Sequence, residues 1–410
     1  MQLISNWISR RRRVRADSRV LVTAGLLFCA AALAQEAPPV RIGVVGPFTG
    51  PSADFGIPMQ NGIALAVEEI NAGGGYLGRK IEMVVKDDKG DPDTGVQVAK
   101  ELTSAGVVAT LGVCNTGVGL KVAPVYQAAK LPLIVTCSTG TPVTTQFPIK
   151  ESYIFRVAPR DAIQAPFVVN DLVKRGWDKV AIFADTTGYG EAGLADVKAA
   201  LESHKLAPVY VGRFKLGVQD LTQELKEARD AGANVVFSYT VGPENAVIAK
   251  GRQAIGWKVP MAGAWPLSFP FFIDGGGEAA EGALMAQSFI AEPSNERRLA
   301  FLSAYSRKYH VRHMPVPMAA AQGYDATYLL LYSIFGIKDR KLDGPSVKAA
   351  LETNERTYYG VIATYGRAFS PDDKEAITPE MLVMGQVKNG AITFAYPADA
   401  RRNLFIQRKN

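Results

Sequence analysis

Residues 40–88 read VRIGVVGPFTGPSADFGIPMQNGIALAVEEINAGGGYLGRKIEMVVKDD, and this stretch decides the fold. Val40–Gly46 is a short apolar run ended by Gly46-Pro47-Phe48-Thr49-Gly50-Pro51, a buried strand followed by a breaker. Ile63, Ala66, Val67 and Ile70 then fall at i, i+3, i+4 and i+7, the apolar stripe of a helix. Asn71 and Gly73-Gly74-Gly75 stop that helix, and residues 81–85 form the next strand.

The alternation continues outward. Residues 94–105 read as a helix, and 107–113 and 131–136 as strands. Strand-helix-strand repetition at this spacing means βαβ units, a parallel sheet and right-handed crossovers. The pattern restarts at 179–184 (strand) and continues through 190–202 (helix), 208–214 (strand), 221–231 (helix), 234–239 (strand), 244–255 (helix) and 259–262 (strand). Two α/β units of similar build are therefore joined near 155–161. Helices at 296–309 and 318–335 follow, and then a β tail in which 381–387 turns at Lys388-Asn389-Gly390 into 391–395. The 410 residues exceed one ordinary core and suit two. Open parallel sheets bind ligands beyond the carboxyl ends of their strands, so twin sheets point to the cleft between them.

The amino terminus has a different character. Six arginines between Arg10 and Arg19 precede a 15-residue apolar run, 20–34, that ends Ala32-Leu33-Ala34. Basic segment, short apolar segment and small-x-small site are the three parts of a secretory signal peptide, and the run is shorter than the ~20 residues a membrane-spanning helix needs. An uncleaved anchor is one alternative. A lipoprotein attached through Cys29 is another, against which the bulky Phe28 argues. Removal of 1–34 lowers the net charge from +7 to about +2, 40 basic against 38 acidic side chains, so the electrostatic case for nucleic acid disappears. Cys114 and Cys137 remain, at the ends of neighbouring strands, as a disulfide or as two buried thiols.

Catalytic motifs are sparse. Gly73-Gly74-Gly75-Tyr76-Leu77-Gly78 matches G-x-G-x-x-G, but a helix precedes it and a strand follows, the reverse of dinucleotide binding. His310 and His313 have H-x-x-H spacing without a third ligand nearby and read as solvated side chains, as does His204. No G-x-S-x-G elbow, P-loop or H-E-x-x-H occurs. The expectation is no enzyme, no metal and no cofactor.

An ordered set of segments resembles the periplasmic leucine/isoleucine/valine-binding proteins, the type I solute-binding components of ABC importers. They are IGVVGPFTGPSADFG, NGIALAVEEINAGGGYLGRKIEMVVKDD, DPDTGVQVAKEL, Cys114-Asn115-Thr116-Gly117, Val135-Thr136-Cys137-Ser138-Thr139, Phe155-Arg156 with Asp161, Asp185-Thr186-Thr187-Gly188-Tyr189-Gly190 and Ala280-Glu281-Gly282. The resemblance implies an α/β fold of periplasmic-binding-protein type I, two Rossmann-like lobes joined by three crossover segments near 157–160, 289–292 and 379–381. Lobe one is then 36–157 plus 292–379, and lobe two 158–289 plus 381–400. It further implies a carboxylate held by hydroxyls and backbone N–H groups of Asn115-Thr116-Gly117 and Cys137-Ser138-Thr139. The residues agree, since strand-end loops rich in Ser, Thr, Asn and Gly present unsatisfied donors; the same residues also serve as plain helix caps. Phe55 and Tyr189 occupy loops where the family places aromatics against the ligand.

One departure bears on the ligand. Where amino-acid binders carry an acid for the ammonium, this chain has Ala264-Trp265-Pro266, and Val241 stands where an aromatic is usual. A buried ammonium without a partner costs several kcal/mol, so an amino acid needs another acceptor, with Asp185 and Glu244 as candidates. Trp265 suits an apolar or aromatic body. The expected ligand is a small carboxylate with an apolar body, with amine-free aromatic or branched-chain acids ahead of free amino acids. The expected protein is a periplasmic monomer that hands this ligand to a membrane permease and its ATPase. A ligand sensor of the same fold and an exported α/β hydrolase are the rivals.

Overall fold

The computed structural model describes residues 38–404 and 406–409; the basic segment, the apolar run with Cys29 and the Ala32-Leu33-Ala34 site lie outside the described residues. The first sheet holds β1 (Val40–Gly46), β2 (Ile81–Asp87), β3 (Thr110–Gly112), β4 (Leu133–Val135) and β5 (Ile154–Arg156), all parallel, in the order β2-β1-β3-β4-β5. Between them run α1 (Ala53–Ala72), α2 (Pro92–Ser104), α3 (Thr116–Ala129) and the short α4 (Pro142–Thr145). The strands read as continuous apolar runs because helices cover both faces.

Residues 157–160 lead to the second half: α5 (Asp161–Lys174), β6 (Val180–Asp185), α6 (Gly188–Ser203), β7 (Tyr210–Phe214), α7 (Thr222–Asp230), β8 (Val235–Tyr239), α8 (Glu244–Ala254), β9 (Met261–Gly263), α9 (Pro270–Gly276) and β10 (Leu284–Gln287). The chain returns to the first half as α10 (Glu296–Tyr309), α11 (Pro317–Ile334) and α12 (Gly344–Thr353). β11 (Tyr358–Tyr359) and β12 (Thr364–Tyr365) follow. The chain then crosses at Pro379–Met381 to β13 (Val383–Lys388), β14 (Ala391–Phe394), α13 (Pro397–Arg402) and β15 (Arg408–Lys409). The second sheet runs β14-β13-β10-β9-β8-β6-β7, with β13 antiparallel to β10. Two mainly parallel sheets are the architecture expected from the repeat, and the three passages of the chain between them are those the resemblance implies.

α1 and α11 meet backbone to backbone. A Cβ on Gly62 would lie 2.0 Å from Ala320 O, and one on Gly323 would lie 2.5 Å from Met59 O. Both positions therefore exclude any side chain, and the contact pins α1 so that its first turn, with Phe55, is held at the cleft.

Some boundaries differ from the sequence pattern. Only Thr110–Gly112 of the expected strand 107–113 pairs as β3; at its carboxyl end Val113 takes φ 54, a left-handed conformation unusual for a β-branched residue, and turns the chain toward Cys114. The glycine run is the helix stop expected of it: Gly73 caps α1, Gly74 and Gly75 have φ 103 and 66, and β2 follows. His310 ends α10 at φ 53, so His310 and His313 do not share a helix face. α5, α9, β10, α12 and the small β11-β12-β15 sheet had no clear signal in the pattern. No described helix is long and apolar enough to cross a membrane.

Candidate functional site

The two loops singled out from sequence meet. Asn115 is the N-cap of α3, extended at φ −86 and ψ 130, yet its side chain does not cap the helix; Nδ2 donates instead to Ser52 Oγ at 3.0 Å. The first turn of α3 thus keeps unsatisfied N–H groups together with the positive end of the helix dipole. Thr116 Oγ1 lies 3.2 Å from Ser138 Oγ and accepts from Gly140 N at 3.2 Å. Thr139 is 1% exposed, and its hydroxyl has no hydrogen-bond partner. Among the described residues no protein acceptor takes the Thr139 N–H. The unpartnered Thr139 hydroxyl and amide and the free amides of the first turn converge with the Thr116 and Ser138 hydroxyls where α3 starts, which is the chemistry of an anion seat.

Aromatic rings stand near it. Phe55 lies edge-on to Trp265 at 6.5 Å between centroids and 5.1 Å from Phe269, and Trp265 meets Phe269 at 4.6 Å. Tyr189 packs on Tyr239 at 5.0 Å. The two halves are closed on each other: Thr141 Oγ1 donates to Asp196 Oδ2 at 2.8 Å, and a Cβ on Gly188 would lie 3.1 Å from Gly117 Cα.

The remaining sequence candidates have other partners. Asp185 Oδ1 accepts from Thr187 N and Oγ1, and its Oδ2 accepts from Val241 N at 3.0 Å, so Asp185 and Val241 brace the loops of the second sheet. Glu244 Oε1 accepts from Gly217 N at 2.6 Å, while Oε2 is buried without a partner. Cys137 is fully buried in the core beneath the loop. Cys114 and Cys137 are both free thiols, and burial, with Cys137 beside it, pushes the Cys114 thiol well up.

Two residues were overlooked. Asp161, quoted above only as part of the resemblance, begins α5 and is fully buried, with Oδ2 lacking a partner. Its N–H donates to Thr139 O at 2.8 Å, which places it against the seat. Burial pushes its carboxyl up to about 7, even though the Tyr239 and Thr139 hydroxyls are near enough to draw it down; neither reaches bonding geometry. Tyr239, also buried with its hydroxyl unbonded, supplies an aromatic two residues before Val241. An acid at a helix start, directly after a crossover, was the available signal for Asp161.

A separate groove of about 800 Å³ opens beside the second passage between Gln287, Phe289, Tyr305 and Met314, and does not include the seat. Among the described residues no group of three or more His, Cys, Asp or Glu side chains is placed to hold a metal ion.

The periplasmic binding protein family model matches residues 39–391. The chain is 30% identical to Leu/Ile/Val-binding protein homolog 3 of Brucella melitensis over 66% of its own length and 72% of the relative's. It is 26% identical to the leucine-, isoleucine-, valine-, threonine- and alanine-binding protein of Pseudomonas aeruginosa, over 69% and 76% of the two chains. A periplasmic binding protein type 1 from Bordetella pertussis superposes with a TM-score of 0.79 at 26% identity, covering 87% of this chain and 99% of that one. The chain belongs to the periplasmic binding protein family. It is a solute-binding protein of type I fold, not an enzyme, and the family is periplasmic.

Proposed function

We propose that the chain captures a small carboxylate with an apolar body between its lobes and delivers it, closed, to a membrane permease driven by an ATPase. The observation that carries this is the convergence of Thr116, Ser138 and Thr139 on the first turn of α3, with the Thr139 donors unpartnered. A carboxylate there accepts charge-assisted hydrogen bonds of roughly 1.5–3 kcal/mol each. Phe55, Trp265 and Tyr189 cover the apolar body. The ligand's contacts with both lobes favour the closed state, and the chain bends at 157–160, 289–292 and 379–381.

Asp161 supports an α-amino acid with an apolar side chain as the leading ligand, because its free oxygen offers an ammonium the acceptor that the Trp265 loop lacks. This reverses the order expected from sequence, in which Asp185 and Glu244 are the candidate acceptors. The names of the two curated relatives point the same way. Trp265 favours the second reading, an amine-free aromatic or keto acid. Calorimetry with L-leucine, L-valine, 4-methyl-2-oxopentanoate and benzoate tests both. Micromolar binding, near −8 kcal/mol, of the amino acids alone supports the first. Tight binding of the amine-free acids alone overturns it, and no binding of any carboxylate overturns the seat itself.

A further inference from the structure

We propose that Arg156, paired with Glu375, is the positioning residue of the carboxylate seat: it turns the Ser138 and Gly140 carbonyls to the rear, so that the Thr139 and Thr141 N–H groups on the other side face the ligand. This rests on the seat reading above.

Arg156 ends β5, and its side chain is fully buried. Its Nη1 donates to Gly140 O at 2.8 Å and to Ser138 O at 3.5 Å. Its Nε and Nη2 donate to Glu375 Oε2 and Oε1 at 2.9 and 2.8 Å, and Nη2 also donates to Thr144 Oγ1. In a planar trans peptide the C=O and the following N–H point in opposite directions. Drawing Ser138 O and Gly140 O toward the guanidinium therefore sends the Thr139 and Thr141 N–H groups the other way. The peptide between them is set in reverse: Thr139 O accepts from Asp161 N, and Gly140 N donates to Thr116 Oγ1. Every peptide plane of the loop is fixed by a named partner, and the Thr139 and Thr141 N–H groups are left without a protein acceptor among the described residues.

Only arginine serves here. Five donors in a rigid fork reach two carbonyls, a hydroxyl and a bidentate carboxylate at once, which a single ammonium on a flexible stem does not. Glu375 holds the fork in place and is itself anchored: Arg156 N donates to Lys374 O, and Ala376 N to Arg156 O, both at 2.8 Å, adding residues 374–376 to the edge of the first sheet. Arg156 immediately precedes the first passage between the sheets, and Glu375 lies just ahead of the third at Pro379–Met381. The clamp therefore ties the seat to two of the segments about which the lobes bend.

The test uses the purified full chain, with L-leucine and benzoate as probes. The double variant R156M/E375Q replaces a buried ion pair by neutral groups of similar size, a change that often leaves stability near its starting value. Its urea midpoint is expected to stay close to wild type while affinity falls about 10- to 100-fold, the value of one or two oriented charge-assisted donors. Amide exchange in 137–142 is expected to rise at least about tenfold as the bond from Gly140 N to Thr116 loosens, with exchange in β6 unchanged. R156K, which keeps the charge and loses the fork, is expected to fall between. Affinity that drops only in step with stability, or a double variant that binds like wild type, overturns the proposal. If neither probe binds the wild type, the seat reading has failed, and unaltered exchange at 137–142 in the double variant overturns the clamp independently.

Discussion

Asp161→Asn changes one atom of the site and separates the two ligand classes. The carboxyl of Asp161 is raised from 3.8 to about 7 by burial. At 1.36 kcal/mol per unit, this displacement corresponds to at most about 4 kcal/mol. The sign follows from linkage: the folded state holds this proton more tightly than the unfolded chain. The contribution is complete below pH 3.8 and is lost as pH rises through about 7. The isosteric amide has no charge to bury, so the ligand-free variant is expected to be more stable than wild type at pH 8, by up to a few kcal/mol, and little changed at pH 4. Binding an ammonium reverses the preference of Asp161 and expels its proton. Amino-acid affinity in the wild type should therefore rise by up to about tenfold per pH unit below 7 and level off above it. An amine-free acid that accepts a hydrogen bond from the neutral carboxyl should instead weaken above pH 7. Tyr189, Tyr239, Thr139 and Asp196 lie near Asp161 with Arg156 beyond, and the tyrosines, pushed well above their ordinary range by burial, stay neutral throughout. Calorimetry from pH 5 to 8 in two buffers of different ionisation heat reads both affinity and proton release. An amino acid that binds Asp161→Asn as tightly as wild type, with no proton released, refutes the assignment.

Three further outcomes are expected. Thr139→Val removes a buried hydroxyl that bonds to nothing, so urea unfolding should shift by less than about 1 kcal/mol while carboxylate affinity falls about tenfold or more; equal losses in both would make Thr139 a packing residue only. Gly188→Val places side-chain atoms where Gly117 and Leu120 of α3 already stand, 3.1–3.3 Å from the new Cβ, so small-angle scattering should report a larger radius and binding should weaken with the thermal midpoint nearly unchanged; a variant as compact and as tight as wild type contradicts the closure geometry. Cys114 and Cys137 should resist a water-soluble thiol reagent in the native protein and react after denaturation, since both are buried and free; a mass two daltons short of the dithiol would show a disulfide instead.

Much of the fold was legible locally. Buried parallel strands announce themselves as apolar runs, as in Val40–Gly46, and α1 as a 3.6-residue stripe, because burial on both faces or on one leaves a pattern in composition. The pattern failed where the cause is not local. Val113 leaves β3 in a left-handed conformation, and nothing in Val107-Val108-Ala109 signals it. β11, β12 and β15 are two-residue strands defined only by their pairing, and β15 meets β12 across 44 positions.

The seat divides along the same line. The resemblance pointed to Thr116, Ser138 and Thr139, and the sequence agrees, since a strand-end loop rich in hydroxyls and glycine at a helix start offers unsatisfied donors. Which donors stay unsatisfied is a tertiary matter. In sequence Asp185 is an acceptor candidate and Asp161 is not, yet Thr187 and Val241 consume the oxygens of Asp185 while packing around α5 leaves Asp161 with one free. The order of residues determined the twin sheets and the two loops; only the folded chain decided which carboxyl keeps a buried oxygen free, because burial and pairing depend on neighbours far away in sequence.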